Sequence, residues 1–482
     1  MKPVVCIIAA SDSAGASGIV ADISTCHGLN SHPAPVLTAN TAQNTRTVLS
    51  VNPLPVVALS DQLRAVQEDL DIAAYKIGLI GDAGQVDTII AALQAKPAFT
   101  VLDPVLGSTT GKTFGPGVEA MQRLLPHVDL VTPNIPEAEL LTGLQIKTPA
   151  DMLHAARALR EYGPAVYLKG GHAGGDNAID LLMYEGGHHF LVQPRGSFDF
   201  SRGTGCTFAS ALASFVALGE NLQDASALAN AYVAQGLAHG YGLNKTSGPV
   251  ARLGWPDNFE YFPKIVDDLS WLDIPAFADC GQTPLGLYPV VDSVAWLEKL
   301  LPLGISTIQL RIKNMPADEL DEAVKKAAEL GRQYDARLFI NDYWQLAIKH
   351  CAYGVHLGQE DMAEADLAAI SRAGVRLGLS THGDFEWARA ASIQPSYLAI
   401  GAIYATQTKE VKVVGPAKLQ RWVKLLKSRF PLTAIGGINL NNLDEVMGSG
   451  IDSVAVVSAI TQAPDPALSV TRLTARMTGD SD

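Results

Sequence analysis

The chain is short of cysteine. It has five in 482 residues, at Cys6, Cys26, Cys206, Cys280 and Cys351, an odd count with no Cys-x-x-Cys spacing. That argues against a disulfide framework and a thiolate zinc site, and it fits a reducing, cytoplasmic compartment. Long runs of Lys or Arg are also missing, and the formal net charge is −13. Nucleic acid and acidic membrane surfaces are poor partners for such a chain, because binding them needs a basic face that displaces counterions. Small anionic substrates stay open, since a pocket can be positive on an acidic protein. No apolar stretch reaches the about 20 residues that span a bilayer. The run Val4–Ala9 meets Asp12 and a Gly-rich turn at once, so it reads as a first strand rather than a signal peptide. Charged residues make up only 18% against 48% hydrophobic, the reverse of a disordered chain.

What is present is alternation. Val4–Ala9, Val36–Ala39, Ala74–Ile77, Thr100–Leu102, Leu130–Val131 and Ala165–Leu168 have the pattern of buried strands. Helical patterns over Ser60–Leu70, Met152–Tyr162 and Thr207–Leu218 lie between them. Alternating strands and helices predict an α/β domain with a mainly parallel sheet. Asp180–Val192 has shorter alternating runs and reads as an antiparallel flap. Residues 251–283 break the pattern with prolines and aromatics, and are read as a connector that packs on one or both domains. The domains are therefore expected at 1–250 and 284–482. In the second, eight strands can be counted: Leu287–Val291, Ser306–Leu310, Arg337–Ile340, Tyr353–Leu357, Arg376–Leu379, Tyr397–Ile400, Leu432–Ile435 and Ser453–Val457. With helical patterns such as Asp318–Tyr334 and Pro416–Ser428 between them, they predict a (β/α)₈ barrel, with a doubly wound open sheet as the alternative.

Two stretches of the first half carry chemistry. Ser11–Asp22 follows the first strand; its small residues let the backbone approach a ligand, and the next helix turns its positive end there. A tight strand-to-helix turn would look the same. In Ser201–Ser210, Gly203-Thr204-Gly205 opens a helix of small residues whose free N–H groups suit a phosphate. Cys206 falls at that positive end, where a thiol is expected to have a lowered pKa; the alternative is an inert core thiol.

Together ASDSAGASGIVAD, Thr41–Thr45 (TAQNT), Thr132–Glu137 (TPNIPE), Lys169-Gly170-Gly171-His172 and Gly203-Thr204-Gly205-Cys206 make residues 1–250 resemble the hydroxymethylpyrimidine/phosphomethylpyrimidine kinases, members of the ribokinase-like superfamily. The resemblance implies a ribokinase-like αβα sandwich. It also implies ATP-dependent phosphorylation of 4-amino-5-hydroxymethyl-2-methylpyrimidine and then of its monophosphate. By the same resemblance, Asp22 and Gln43 would hold the pyrimidine edge, and Asn134 and Glu137 would lie near Mg²⁺ and the phosphates. Lys169 would neutralise phosphate charge, Cys206 would be the base or polarising group, and the Gly203–Cys206 amides, Gly205 included, would stabilise the transferring phosphoryl group. The chain departs from the family pattern at Ala10, Ala16, Ser17 and Arg202. A kinase for a related ring such as pyridoxal is the alternative for this half.

In a barrel, ligands bind at the C-terminal ends of the strands. There the sequence puts Gln309, Arg311 and Lys313 at and beyond the end of strand two, Asn341 and Asp342 at the end of three, Asp361 after four, and Ser380 after five. Thr406, Thr408 and Lys409 lie beyond strand six, Gly437 ends strand seven, and Val457 and Ser458 end strand eight. Arg and Lys suit a diphosphate, and Asp342 and Asp361 are hard oxygen donors that could share one Mg²⁺. GLY at 286–288, QLRIK at 309–313, IND at 340–342, VHLGQED at 355–361, TQTK at 406–409, AIGGI at 434–438 and VSAI at 457–460 resemble thiamine-phosphate synthase. That resemblance implies that Gln309, Arg311, Lys313, Asn341 and Lys409 bind the pyrimidine's diphosphate, Asp342 and Asp361 the metal, and Ser380 the aminopyrimidine or diphosphate. Thr406, Thr408, Gly437, Val457 and Ser458 would hold a thiazole phosphate. A thiazole tautomerase shares the fold, and a non-catalytic ligand sensor is a further alternative. Ala402 stands where the family commonly has Pro. The first half's implied product is the second half's implied substrate. Enzymes of both kinds are often dimers or larger, so a homo-oligomer is possible.

Overall fold

The run Val4–Ala9 is a strand whose residues from Val5 on are buried, with parallel neighbours on both sides. Buried parallel strands need no polar face, which is why the segment reads VVCIIA without alternation. The computed structural model describes residues 1–106, 115–171, 174–196, 198, 200–245, 247–281, 283–405 and 413–479. It divides into two units, Met1–Asp268 and Leu269–Asp482.

In the first unit nine of the described strands form one sheet in the order Lys264–Val266, Gly187–Pro194, Asn177–Tyr184, Ala165–Leu168, Leu130–Val131, Phe99–Leu102, Ile72–Ile77, Val4–Ala9 and His32–Leu37. The strands from Ala165–Leu168 to His32–Leu37 run parallel. The Asp180–Val192 segment is an antiparallel hairpin as expected, but it continues this sheet rather than forming a separate flap, because Met183 pairs with Val166. A separate two-stranded ribbon, Ala39–Gln43 with Val48–Pro53, carries the TAQNT motif. The expected strand Val36–Ala39 thus straddles two strands, His32–Leu37 and Ala39–Gln43.

In the second unit, Gly286–Val291, Thr307–Leu310, Arg337–Asn341, Gly354–Leu357, Arg376–Thr381, Tyr397–Ile400, Leu432–Ile435 and Ser453–Val456 close into a parallel barrel, the last strand pairing with the first. Tyr288, Phe339 and Tyr397 fill its interior and are essentially unexposed. Two glycines make that possible. A Cβ on Gly354 would stand 2.4 Å from the Phe339 ring, and one on Gly378 would stand 2.1 Å from the Tyr397 ring. In so dense a core, a large side chain on one strand needs a small one beside it.

The 251–283 segment is shared out. Arg252 bonds the Ala16 carbonyl, the Leu253 carbonyl accepts from Tyr232, and Lys264–Val266 is an edge strand of the first sheet. Further on, the Ala278, Asp279 and Cys280 carbonyls accept from Ser396, Arg376 and Arg337 of the barrel. No helix among the described residues is long and apolar enough to cross a membrane.

Candidate active sites

In the first unit, the loop after strand Val4–Ala9 is wound around buried Asp12. Its carboxylate accepts from the Ala14 and Ser17 amides and the Ser17 hydroxyl. Gly18 has φ +58°, and a Cβ there would be 2.5 Å from the Ala10 carbonyl oxygen. The Ala16 carbonyl in turn sits where a Cβ on Gly203 would be, 2.2 Å away, and Gly203 has φ +79°. Only glycine allows both the left-handed turn and that backbone contact. Gly203 thus brings the start of the helix Thr204–Ala217 against the Ser11–Gly18 loop. Ser13 ties Gln43 to the same loop: its hydroxyl donates to the Gln43 carbonyl at 2.6 Å and accepts from the Gln43 amide at 2.8 Å. The Gln43 side chain stays half-buried at the ribbon's end. Arg202 donates to the Thr45 carbonyl at 3.0 Å, holding the ribbon tip.

Cys206 lies between two cation–carboxylate pairs. On one side, Lys76 Nζ is 2.8 Å from Asp22 Oδ2, and Ser210 donates to Asp22 Oδ1 at 2.7 Å. On the other, Lys169 Nζ is 2.8 Å from Asp103 Oδ1. A Cβ on Gly205 would be 3.3 Å from Lys169 Nζ and 3.4 Å from the Asp103 carboxylate, so Gly205 leaves this pair room beside the helix start. The expectation of a lowered Cys206 pKa is reversed. Burial pushes the thiol up to about 11; Lys76 pulls against that, while Asp22 and Asp103 reinforce it. A helix terminus does not offset the loss of water around the thiolate.

Asp22 also differs from expectation. It has no exposed surface and both carboxylate oxygens are engaged, so it stands behind the site rather than lining it. Asn134 and Glu137 form a reciprocal capping box at the start of helix Ile135–Thr142. Burial pushes the Glu137 carboxyl up to about 7, opposed by Lys169 and reinforced by Asp103. Both residues therefore belong to the Lys169–Asp103 side of the cluster. Asp103 and Lys76 were missed in the sequence. Each left a signal: a carboxylate just past the end of strand Phe99–Leu102, and a lone charge inside an apolar strand. His172 lies outside the described residues.

At the C-terminal ends of the barrel strands, Gln309 and Asn341 are buried and Arg311 is anchored by its amide on the Val291 carbonyl. Asp342 takes φ +64° as the third strand ends. Burial, and then the nearby Asp361 charge, raise the Asp342 carboxyl above its usual range, while Arg311 and Lys313 work to lower it. These four side chains therefore share one field. Asp361 sits in the first turn of helix Gln359–Glu364 and accepts from the Gly358 amide at 3.2 Å. Across the mouth, Ser380 Oγ is 2.8 Å from His356 Nε2, and His356 Nδ1 is 2.7 Å from the Tyr397 hydroxyl. Burial pushes His356 down to about 3, so it is neutral. Gln359 donates to the Ser380 carbonyl and is itself held by Arg389. His382 pairs with Glu386 at 2.7 Å. Gly437, with φ +68°, lies against the Ala405 carbonyl, and Val457 and Ser458 begin the helix Ser458–Thr461. Thr406, Thr408 and Lys409 lie outside the described residues. Tyr288 and Tyr397 were missed because they read as apolar strand residues.

Comparison with known proteins gives both halves a family. Residues 12–251 match the phosphomethylpyrimidine kinase family, and residues 287–460 match the thiamine monophosphate synthase family. The chain is 56% identical over 195 residues to the thiamine-phosphate synthase of Pectobacterium atrosepticum, covering 40% of this chain and 91% of that one. It is 58% identical over 183 residues to that of Serratia proteamaculans, covering 38% and 86%. Among solved structures, it is similar to the pyridoxal kinase from Staphylococcus aureus in complex with ADP, with 30% identity and a TM-score of 0.51, covering 55% of this chain and 98% of that one. A phosphomethylpyrimidine kinase from Clostridium difficile is 34% identical, with a TM-score of 0.43, covering 48% and 98%. Fold and sites thus define a ribokinase-like kinase joined to a (β/α)₈ transferase. The chain belongs to the thiamine-phosphate synthases through its barrel and carries a phosphomethylpyrimidine kinase as its first unit, a bifunctional fusion of thiamine biosynthesis.

Proposed function

We propose that the first unit phosphorylates both 4-amino-5-hydroxymethyl-2-methylpyrimidine and its monophosphate, with ATP as donor, and that the barrel uses the resulting diphosphate. The observation carrying the kinase assignment is the meeting of the Gly203 turn, the Thr204–Ala217 helix start and Cys206 with the Lys169–Asp103 pair. Gln43 would read the pyrimidine edge, and Asp22 would act from behind by holding Lys76 beside Cys206. A thiol raised to about 11 keeps its proton at neutral pH, so Cys206 would orient the attacking hydroxyl rather than deprotonate it. Phosphoryl transfer through a loose transition state depends more on positioning and charge than on a strong base. Lys169 and the Gly203–Cys206 amides would supply that charge, with Asn134 and Glu137 beside the phosphates and their Mg²⁺.

In the barrel, Gln309, Arg311, Lys313, Asn341 and Lys409 would hold the diphosphate. Thr406, Thr408, Gly437, Val457 and Ser458 would hold the thiazole phosphate. The donor set fits a hard cation, since Asp342 and Asp361 are close enough to raise one carboxyl's proton affinity. Mg²⁺ there would neutralise charge on the departing pyrophosphate. The C–O bond of the pyrimidine CH₂ breaks, the thiazole nitrogen bonds to that carbon, and pyrophosphate leaves.

The test is a coupled assay of the whole chain with hydroxymethylpyrimidine, MgATP and thiazole phosphate, following thiamine phosphate by chromatography. Product should be lost in Cys206→Ala and restored by adding the pyrimidine diphosphate. Absence of product even with the diphosphate supplied would sink the synthase assignment. Phosphorylation of pyridoxal in preference to the pyrimidine would sink the kinase substrate.

A further inference from the structure

A chain of hydrogen bonds crosses the barrel interior beneath the proposed synthase site. The Gln309 amide nitrogen donates to the Tyr288 hydroxyl at 3.3 Å. The Tyr288 and Tyr397 hydroxyls are 2.8 Å apart, Tyr397 is 2.7 Å from His356 Nδ1, and His356 Nε2 is 2.8 Å from Ser380 Oγ. Tyr288, Tyr397 and His356 are buried, and only Ser380 reaches the mouth.

With the amide nitrogen of Gln309 facing Tyr288, counting hydrogens fixes its direction. An amide N–H only donates, so Tyr288 must accept from Gln309. The Tyr288 proton then has one remaining polar neighbour among the described residues, the Tyr397 oxygen. Tyr397, having accepted, turns its own proton to His356 Nδ1. A neutral imidazole that accepts at Nδ1 carries its hydrogen on Nε2, which donates to Ser380. The Ser380 hydroxyl is left with its proton free to point into the mouth. The reverse order would leave the Tyr288 proton buried with no acceptor, which folded proteins avoid.

We infer that Tyr397 and His356 are positioning residues that fix Ser380 as a hydrogen-bond donor toward bound substrate. The atom opposite Ser380 is then an acceptor, a pyrimidine ring nitrogen or a diphosphate oxygen, and not the exocyclic amine. Tyr288 only completes the chain. This rests on the synthase reading above. Wild-type turnover of pyrimidine diphosphate and thiazole phosphate is therefore measured first, and its absence would overturn that reading itself.

The test is a set of full-length variants in the synthase assay, with thermal unfolding recorded for each. Tyr397→Phe frees the imidazole to take either tautomer, and kcat should fall about ten-fold, with the KM for thiazole phosphate unchanged. In a Ser380→Ala background the same substitution should have no further effect on kcat, because it acts through Ser380. Tyr288→Phe should stay within about two-fold of wild type, since the Gln309 side chain also hydrogen-bonds to Tyr397 and the Tyr397 proton keeps His356 as its acceptor. Equal kcat losses from Tyr397→Phe in both backgrounds, with matching drops in unfolding temperature, would make its role structural and overturn the inference. A Tyr288→Phe loss as large as that of Tyr397→Phe would overturn the direction of the chain.

Discussion

Glu137 shows how one buried side chain serves local structure and electrostatics together. Its carboxylate accepts from the Asn134 amide to cap a helix, yet burial lifts its pKa to about 7 from an ordinary 4.5. The folded state therefore binds this proton more tightly than the unfolded chain. Its contribution to stability is complete below the unfolded value and is lost as pH rises through the folded one. Between about pH 4.5 and 7 the first unit should lose stability as pH rises, by roughly 1–3 kcal/mol from this group. Glu137→Gln keeps the capping acceptor and removes the titration. Denaturant melts of the variant across that window should show a flatter pH dependence than wild type. A second residue-scale expectation concerns the barrel cations. Arg311→Ala should lower Asp342's tolerance of negative charge and abolish thiamine phosphate formation, while phosphorylation of the pyrimidine continues at the wild-type rate.

At the scale of elements, glycines decide what can touch. Gly203 joins a helix start to a loop by taking a conformation and a contact that no Cβ permits. Gly203→Ala should abolish pyrimidine phosphorylation, while synthase turnover of supplied diphosphate is unchanged. Gly378 has the same part in the barrel, where the added methyl would meet the fully buried Tyr397 ring. Overpacking of that kind costs about 1–3 kcal/mol, so Gly378→Ala should lower the barrel's unfolding temperature and disturb the Tyr397 hydroxyl with it. The barrel strands themselves were legible from the sequence to within one or two residues, because each is a short apolar run bounded by turn chemistry. The ribbon Ala39–Gln43/Val48–Pro53 was legible only as a motif, since it is mostly polar or exposed and carries no core pattern.

At the scale of the whole molecule, the boundary between the two units falls inside the segment read as a connector, between Asp268 and Leu269. Lys264–Val266 pairs with Phe190–Val192, and Asp267 is 2.7 Å from His189. A fragment of residues 1–268 should therefore keep kinase activity and unfold at a higher temperature than one of residues 1–250, which lacks that edge strand. The fragment 269–482 should keep synthase activity, because the Ala278, Asp279 and Cys280 carbonyls hydrogen-bond to the barrel. Equal melting of the two kinase fragments would show that the edge strand adds nothing.

The sequence by itself determined the alternating strands and helices of the first unit, the eight strands of the barrel and the polar residues at several of their ends. These follow from periodicity and from turn residues, which act over a few positions along the chain. Tertiary structure alone decided the state of those residues. Asp22 is withdrawn from the site by Lys76, 54 positions away, and Tyr288 meets Tyr397 across 109 positions. Cys206 carries a raised rather than a lowered pKa because the fold packs it away from most solvent and sets the Asp22 and Asp103 carboxylates near it. Burial and charge coupling depend on what the fold brings near, so no local pattern could have carried them.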